Sequence, residues 1–470
     1  MKIALKTKFL GLALLASCTQ VDAADWLRLQ GAQPEVVAPH GVKVPYRSKE
    51  PHVWGFIQAN YKKDFGDVFI PPGGPNEGVN LTPFSRLNPD LKDQSGFNVF
   101  RARLAVRGMA DGENLINYFF MTEFANNAIN NLIGHRNVAT YFSDASVTLK
   151  HIPGAKLRVG MFKTPGSEEG LQAVFISPYI DFTTMSNQLL LERKVTNVGG
   201  VQTGGAAGGA ATVHYTSTSM EEPIGAYRDT GAQLFDTLNI TKGWDITYAY
   251  MYGNGNGISM KASDKQATHY GYLALEDNFG PGRGYFTESV KFYIWGQSGK
   301  RTLLSDPSTD ANPDQALVEV DANRKRYGVG MTYYQNGLRF EAEYVRAKGM
   351  IFTGAKDKDT DPLAEDWQVQ FAVGDENVAD GGYVNLQYEL VAKKFEVFGR
   401  YDYLNRLTND TKAERDFKTA TLGCSYRFRG ATRVDLNYQI RDIKAPGNDN
   451  AQAVVDNIGN RVAVQVTAAF

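Results

Sequence analysis

The sequence predicts an all-β protein, a transmembrane antiparallel β-barrel of about 16 strands with long external loops and short periplasmic turns. Three observations predict it: an N-terminal export signal, repeated segments of alternating polarity, and connections that alternate in length. The chain has 470 residues and contains 24 Tyr, 26 Phe and 5 Trp, which is too aromatic for a disordered chain. The net charge of −1 argues against a general nucleic-acid binder.

The N-terminus carries an export signal. Lys2, Lys6 and Lys8 precede an apolar stretch at 9–16, and small residues follow, which is typical of a secretory signal peptide spanning 1–23. The small residues at positions 21 and 23 favour cleavage before residue 24. A second interpretation stays open, because residues 15–18 also resemble a bacterial lipobox in which Cys18 would be acylated.

The rest of the chain is expected to form one extension and one barrel. Residues 24–50 are predicted to be a periplasmic N-terminal extension, and 51–470 to be the transmembrane barrel. Beyond the signal no run of about 18 apolar residues occurs, which argues against a helical membrane bundle. Cys18 and Cys424 are the two cysteines, and no CxxCH haem motif occurs, so no cofactor, metal or disulfide framework is predicted.

Sixteen segments alternate between polar and apolar residues with the period of a strand. They are 53–63, 97–109, 114–124, 139–151, 156–164, 226–239, 243–254, 267–277, 285–297, 324–335, 337–348, 382–391, 394–404, 416–428, 431–442 and 460–470. In the segment around Arg101, Arg103 and Arg107, for example, apolar residues at 102, 104 and 106 occupy the other face. Apolar residues outside and polar residues inside suit lipid around a wet lumen.

The connections between these segments are sorted by length. Every second connection is a tight turn, at 110–113, 152–155, 241–242, 335–337, 392–393 and 429–430, with a longer turn at 278–284 in the same phase. The connections between them are long and polar: 64–96, 125–138, 165–225, 255–266, 298–323, 349–381, 405–415 and 443–459. A soluble sandwich has no reason to sort its loops, whereas an outer-membrane barrel has short periplasmic turns and long external loops.

The last segment ends in an aromatic residue. Val462, Val464 and Val466 share a face with the C-terminal Phe470. A terminal aromatic on an alternating strand resembles the signal read by the barrel assembly machinery, which is therefore an expected partner. Outer-membrane lipid and lipopolysaccharide are the other expected partners, and a Gram-negative outer membrane is the expected location.

Two stretches resemble the phosphate-selective porin O/P-like family. The second and third strands of that family are similar to FRARL at 100–104, Gly108 and residues 118–125. The VGxFKxP…ER region of the family is similar to LRVGMFKTP at 157–165, followed by LER at 191–193. The resemblance implies a sixteen-stranded, trimeric porin whose third external loop, here 165–225, folds into the lumen as a constriction.

The charged residues of this loop and of the inner wall are the predicted pore-lining and selectivity residues. They are Arg101, Arg103, Arg107, Arg158 and Lys163 on the wall, and Glu168, Glu169, Arg193 and Lys194 in the loop. One sign of charge along a water-filled pore concentrates the opposite ion. The alternative is that the arginines pair with carboxylates such as Glu123 and Asp144 and brace the wall.

These features predict an outer-membrane porin that passes small hydrophilic solutes or ions, with a weak preference for anions such as phosphate. Two alternatives are a structural sheath around an electron-transfer partner and a specific channel for small hydrophobic molecules. No enzyme is expected, because the six His are scattered and no GxSxG motif is present.

Overall fold

The structure is a computed structural model that describes most of the predicted barrel. The described residues are 51–67, 95–111, 115–125, 141–191, 212–216, 227–255, 257, 265–282, 284–305, 318–356, 368–411, 413–429 and 432–470. The predicted signal peptide and periplasmic extension, together with Arg193 and Lys194 of the predicted constriction loop, lie outside them.

Sixteen strands form one closed antiparallel barrel. They are β1 (His52–Asp64), β2 (Gly96–Met109), β3 (Ile116–Glu123), β4 (Tyr141–Ile152), β5 (Ala155–Lys163), β7 (Arg228–Thr241), β8 (Trp244–Gly253), β9 (Thr268–Asn278), β10 (Ser289–Ser305), β11 (Val318–Gln335), β12 (Leu338–Gly349), β15 (Val378–Val391), β16 (Phe395–Arg406), β17 (Arg415–Arg429), β18 (Thr432–Lys444) and β19 (Arg461–Ala469). Each matches one predicted segment, so the predicted fold class is confirmed.

The barrel closes where the first strand meets the last. β1 pairs with β19 from Phe56 opposite Ala469 to Asp64 opposite Arg461. The amide nitrogen and carbonyl oxygen of Gly55 continue this ladder onto Phe470, at 2.9 and 3.0 Å. Closure leaves no open sheet edge, which a membrane-spanning sheet cannot tolerate because lipid offers no hydrogen-bond partners.

The tight turns have the backbone geometry that their sequences require. Asn336 and Gly337, between β11 and β12, both have positive φ, at 50° and 78°. A type I′ turn needs positive φ at both central residues, and Asn-Gly supplies it at little steric cost. The strand ends that lead into the tight turns lie at one end of the barrel, and those that lead into the long connections lie at the other, as the alternation of lengths predicts.

Three further strands were not predicted. β6 (Thr212–Thr216), β13 (Ile351–Lys356) and β14 (Gln368–Ala372) form a small antiparallel sheet in the order β13-β14-β6. This sheet joins two long connections, 165–225 and 349–381, which the sequence predicts to be loops. The predicted loop 298–323 is also too long, because β10 and β11 keep pairing as far as Ser305 opposite Val318. The outer end of β10, residues 298–305, has no regular alternation, whereas Val318, Val320 and Ala322 of β11 do alternate with polar residues, a signal that the predicted start of this strand at 324 left out.

Helical elements are short. They are an α-helix at Glu168–Leu171, a π-helical turn at Ser186–Leu190, a 3₁₀ turn at Gly284–Phe286 and an α-helix at Asp449–Val455. Within the described ranges, no helix is long and apolar enough to cross a membrane.

The two faces of the wall differ as the alternation predicts. Large apolar side chains are exposed on the outside, for example Leu422 at 58% and Val329 at 51%, whereas inward polar side chains such as Gln58 and Asn437 are at 0%. Unbroken alternation would place Phe100 on the apolar face of β2 together with residues 102, 104 and 106, and this expectation needs correction. Gln58 of β1 pairs with Arg101 of β2, whereas the next residue, Ala59, pairs with Val99, so Phe100 is the extra residue of a β-bulge that interrupts the alternation. Phe100 consequently contacts the cations of Lys62 and Arg101 instead of lying on the plain apolar face.

Candidate functional site

Residues 164–191, which we call the inner segment, leave the wall after β5 and lie inside the barrel. The entry and the return of this connection are clamped together. The amide nitrogen and hydroxyl of Thr164 donate to the carbonyl oxygen of Tyr227, at 2.7 and 3.1 Å. Tyr227 has a φ of 65° and immediately precedes β7. The rest of the inner segment reaches side chains on the opposite half of the barrel.

Two carboxylates at the start of the inner segment are paired with wall cations. Glu168 lies 2.6 Å from the ammonium of Lys291 on β10, and both side chains are almost fully buried. Glu169 lies 3.4 Å from Arg400 on β16 and also accepts hydrogen bonds from the amide nitrogen and hydroxyl of Thr183. These two predicted loop residues therefore hold the inner segment against β10 and β16.

Asp181 makes a third set of ionic contacts. Its carboxylate lies 2.5 Å from Lys62 on β1 and 3.3 Å from Arg461 on β19, and Gln439 on β18 donates to it at 3.3 Å. Burial alone would raise the pKa of Asp181, but the charges of Lys62 and Arg461 outweigh burial and hold that pKa well below its usual range. Asp181 therefore carries its negative charge in the folded protein near neutral pH.

The apolar half of the inner segment packs against inward aromatic residues. The ring of Phe175 lies 5.1 Å from that of Phe56 and 5.6 Å from that of Trp54, centroid to centroid. Tyr179 meets Phe398 edge to face at 5.0 Å, and its hydroxyl donates to the carbonyl oxygen of Gly399 at 2.8 Å. Burying such rings stabilises the segment, because each removes a large apolar area from water.

Backbone carbonyls of the inner segment accept hydrogen bonds from buried arginines, which the sequence did not indicate. Arg433 on β18 donates to the carbonyl oxygens of Ile176 and Ser177. Arg326 and Arg324 on β11 donate to the carbonyl oxygen of Leu189, at 2.9 and 3.0 Å. The partners are more than 130 positions apart in the chain, so no local pattern could have signalled these contacts.

Two carboxylates of β12 complete the anchoring. Glu343 accepts hydrogen bonds from Ser167 at 2.8 Å, from Trp295 at 2.7 Å and from Tyr383 at 2.9 Å. Its neighbour Glu341 accepts from Asn385, Tyr285 and Gln172, at 3.1, 3.2 and 3.4 Å. Ser167 and Gln172 belong to the inner segment, so β12 holds both sides of the short helix Glu168–Leu171.

The predicted arginine face lies on β2, where Arg103 is part of an ion pair. Arg103 lies 2.6 Å from Glu123 on β3, and both side chains are buried. Arg101 donates to Gln58 at 2.8 Å, with its guanidinium 4.2 Å from the ring of Phe100. The guanidinium of Arg107 lies 4.7 Å from the ring of Phe119.

Arg158 and Lys163 on β5 extend this basic wall. The guanidinium of Arg158 lies 4.7 Å from the ring of Phe235, and Thr148 accepts from it at 3.4 Å. Its register partner on β7 is Gln233, whose side-chain amide has no hydrogen-bond partner in the structure although it is 1% exposed. Lys163 donates to the carbonyl oxygens of Leu171 and Gln172, at 3.2 and 2.7 Å.

The bracing alternative holds for part of the wall. Glu123 pairs with Arg103, as that alternative expects, whereas Asp144 pairs at 2.9 Å with Arg228 on β7, which was not among the predicted residues. Among the described residues, no group of three or more His, Cys, Asp or Glu side chains could hold a metal ion.

Comparison with known proteins gives likeness in structure alone. No protein-family model matches the sequence, and neither does any curated protein. OmpF of Salmonella typhi, solved in a complex with daunomycin, is 10% identical with a TM-score of 0.52, covering 91% of this chain and 100% of its own. An anion-selective porin from Comamonas acidovorans is 13% identical with a TM-score of 0.48, covering 90% and 99%. The outer membrane channel DcaP of Acinetobacter baumannii is 11% identical with a TM-score of 0.46, covering 91% and 100%.

The fold is that of an outer-membrane β-barrel. It rests on sixteen closed antiparallel strands and on the likeness to OmpF over the full length of that chain. With an apolar exterior around a polar interior, this architecture places the protein in the outer membrane of a Gram-negative cell.

Proposed function

We propose that the protein is an outer-membrane porin that lets small hydrophilic solutes and ions diffuse passively through a lumen narrowed by the inner segment. One observation carries the proposal. Hydrogen bonds and ion pairs fix the inner segment to β10, β11, β12, β16 and β18, and on the basic wall of β2–β5 it contacts Lys163 and Arg101. The proposed solute passage follows the part of that wall that contains Arg158, whose contacts are with Thr148, Phe162 and Phe235 of the wall itself.

Charge along this passage supports a weak preference for anions. The carboxylates of Glu168, Glu169 and Asp181 are each matched by wall cations, so the inner segment adds little net negative charge. On β2–β5, by contrast, the five predicted cations face the two carboxylates Glu123 and Asp144. A pore wall with an excess of one sign lowers the entry barrier for the opposite ion.

The resemblance of 100–104 and 157–165 to phosphate-selective porins agrees with this charge excess. Phosphate is therefore one solute to test, and trimeric assembly is a further expectation from the same resemblance.

Reversal potentials in a salt gradient across a planar bilayer test the preference. Wild-type protein should give a potential displaced toward anions. Arg158→Gln should move the potential toward cations, because Arg158 contacts the Thr148 hydroxyl and two rings and forms no ion pair with any residue that the structure describes. Lys418→Gln is the matched control, since Lys418 is exposed on the outside of β17. A potential that is unchanged in Arg158→Gln would contradict the proposed role of the wall.

A further inference from the structure

A row of side chains crosses the outer face of four neighbouring strands near the long-loop end of the barrel. His269 on β9 lies in register with Ser298 on β10, Ser298 with Lys325 on β11, and Lys325 with Lys348 on β12. Lys325 and Lys348 are exposed and belong to the same outward face as Tyr327 and Val329. Two exposed lysines are thus direct register partners on adjacent strands.

Such a pair costs stability unless an anion lies between its members. Directly opposed residues of an antiparallel pair have Cβ atoms about 5 Å apart, and like charges at that distance repel. Nearby outward cations have carboxylates: Arg346 lies 3.5 Å from Asp380 and Lys300 lies 3.9 Å from Asp321. For Lys325 and Lys348, no ion pair exists with any residue that the structure describes.

The depth of the row fits a lipid headgroup. Lys325 lies eleven positions from Asn336 and Lys348 lies eleven positions from Gly337, the two residues of the tight turn. At about 3.4 Å per residue and a strand tilt of about 40°, eleven residues rise about 29 Å, slightly more than the height of about 25 Å of the apolar band of such a barrel. The row therefore lies at the outer-leaflet boundary, and the exposed ring of Tyr327 lies just below it, where aromatic residues mark the interface.

We propose that Lys325 and Lys348, with the Ser298 hydroxyl beside them, form a binding site for the phosphorylated headgroup of an outer-leaflet lipid. A phosphate between the two ammonium groups would replace their repulsion with two charge-assisted hydrogen bonds. The Ser298 hydroxyl can donate a third hydrogen bond to the same phosphate. The acyl chains of the lipid would then lie along the apolar residues below the row.

Titration of the purified full-length protein in detergent with bisphosphorylated lipid A tests the site, with bound lipid counted by native mass spectrometry. Each basic residue near a membrane surface contributes about fivefold to binding of an anionic lipid, so Lys325→Gln/Lys348→Gln should bind lipid A about 30-fold more weakly. Lys418→Gln should bind like wild type, because Lys418 lies opposite Asp442 on the outer face of β18. Equal binding by the double variant and wild type would overturn the proposal.

Two further arms separate the source of the phosphate and exclude a folding defect. Dephosphorylated lipid A should bind wild type and double variant equally weakly, and millimolar inorganic phosphate should leave the binding of lipid A unchanged. Full competition by inorganic phosphate would assign the site to the free ion and overturn the lipid assignment. In the absence of lipid, the double variant should unfold at the same temperature as wild type or at a higher one, because the substitutions remove a like-charge pair. A lower unfolding temperature would contradict the repulsion between Lys325 and Lys348 on which the site is built.

Discussion

Single side chains in the lumen differ in whether they stabilise the wall or face the passage, and the sequence could not separate these roles. Arg103 and Arg158 both occupy inward positions in alternating segments, and both were predicted to line the pore. Arg103 is paired with buried Glu123, whereas Arg158 contacts a hydroxyl and two rings. The difference arises from the neighbouring strand, whose register a single segment does not encode.

Removing the partner of Glu123 should destabilise the barrel. Arg103→Gln would leave a carboxylate with 0% exposure beside a neutral amide, and breaking a buried ion pair from one side costs about 3–5 kcal/mol. Urea unfolding in detergent should show that loss. Arg103→Gln/Glu123→Gln should recover most of it, because no lone charge remains buried; an Arg103→Gln protein as stable as wild type would contradict the structural role of the pair.

At the scale of elements, strands were predictable and the anchoring of the inner segment was not. The period of two is a local property, so all sixteen barrel strands could be located, including β19 with its outward valines. The contacts of the inner segment join residues such as Ile176 and Arg433, which are 257 positions apart. The small sheet was missed for a related reason, since β6 and β14 meet only through the folded barrel.

The seam between β1 and β19 should be sensitive to a side chain at Gly55. A Cβ there would lie 2.6 Å from the carbonyl oxygen of Arg103 and 2.7 Å from the ring of Phe470. Gly55→Val should therefore lower the temperature at which the barrel loses its folded mobility on gels, with an overpacking cost of about 1–3 kcal/mol. Gly271→Val on β9 is the matched control, because a Cβ at Gly271 meets nothing within 4 Å. Equal effects of the two substitutions would contradict the tight seam.

The ion pairs of Asp181 should make the anchoring of the inner segment insensitive to mild acid. The folded pKa of Asp181 lies below its usual range, so its stabilisation is complete above about pH 4 and is lost as the pH falls further toward the folded pKa. The difference in thermal midpoint between wild type and Asp181→Asn should thus stay constant from pH 7 to pH 5 and shrink below about pH 4. Asp442→Asn, an exposed site, supplies the control. A difference that already shrinks between pH 7 and pH 5 would show that Lys62 and Arg461 do not hold the charge.

For the whole molecule, the sequence predicted the class of the fold and its membrane, and the resemblance supplied the expectation of an inward loop. The charge balance of the lumen was open from sequence, because the predicted constriction loop carries acidic and basic residues, among them Glu168, Glu169, Arg193 and Lys194. Glu168, Glu169 and Asp181 each have a cationic partner on a distant strand of the barrel, and that pairing could be recognised only once the inner segment and the barrel were seen together.

Single-channel recording of the purified protein in a planar lipid bilayer tests the central claim most directly, because a porin must conduct ions without a partner or an energy source. The account predicts discrete steps whose current is proportional to voltage. Removing residues 168–190, so that Ser167 is joined directly to Leu191, should increase the size of each step, because it removes most of the inner segment from the lumen. A folded barrel that inserts into the bilayer and gives no steps would contradict the account.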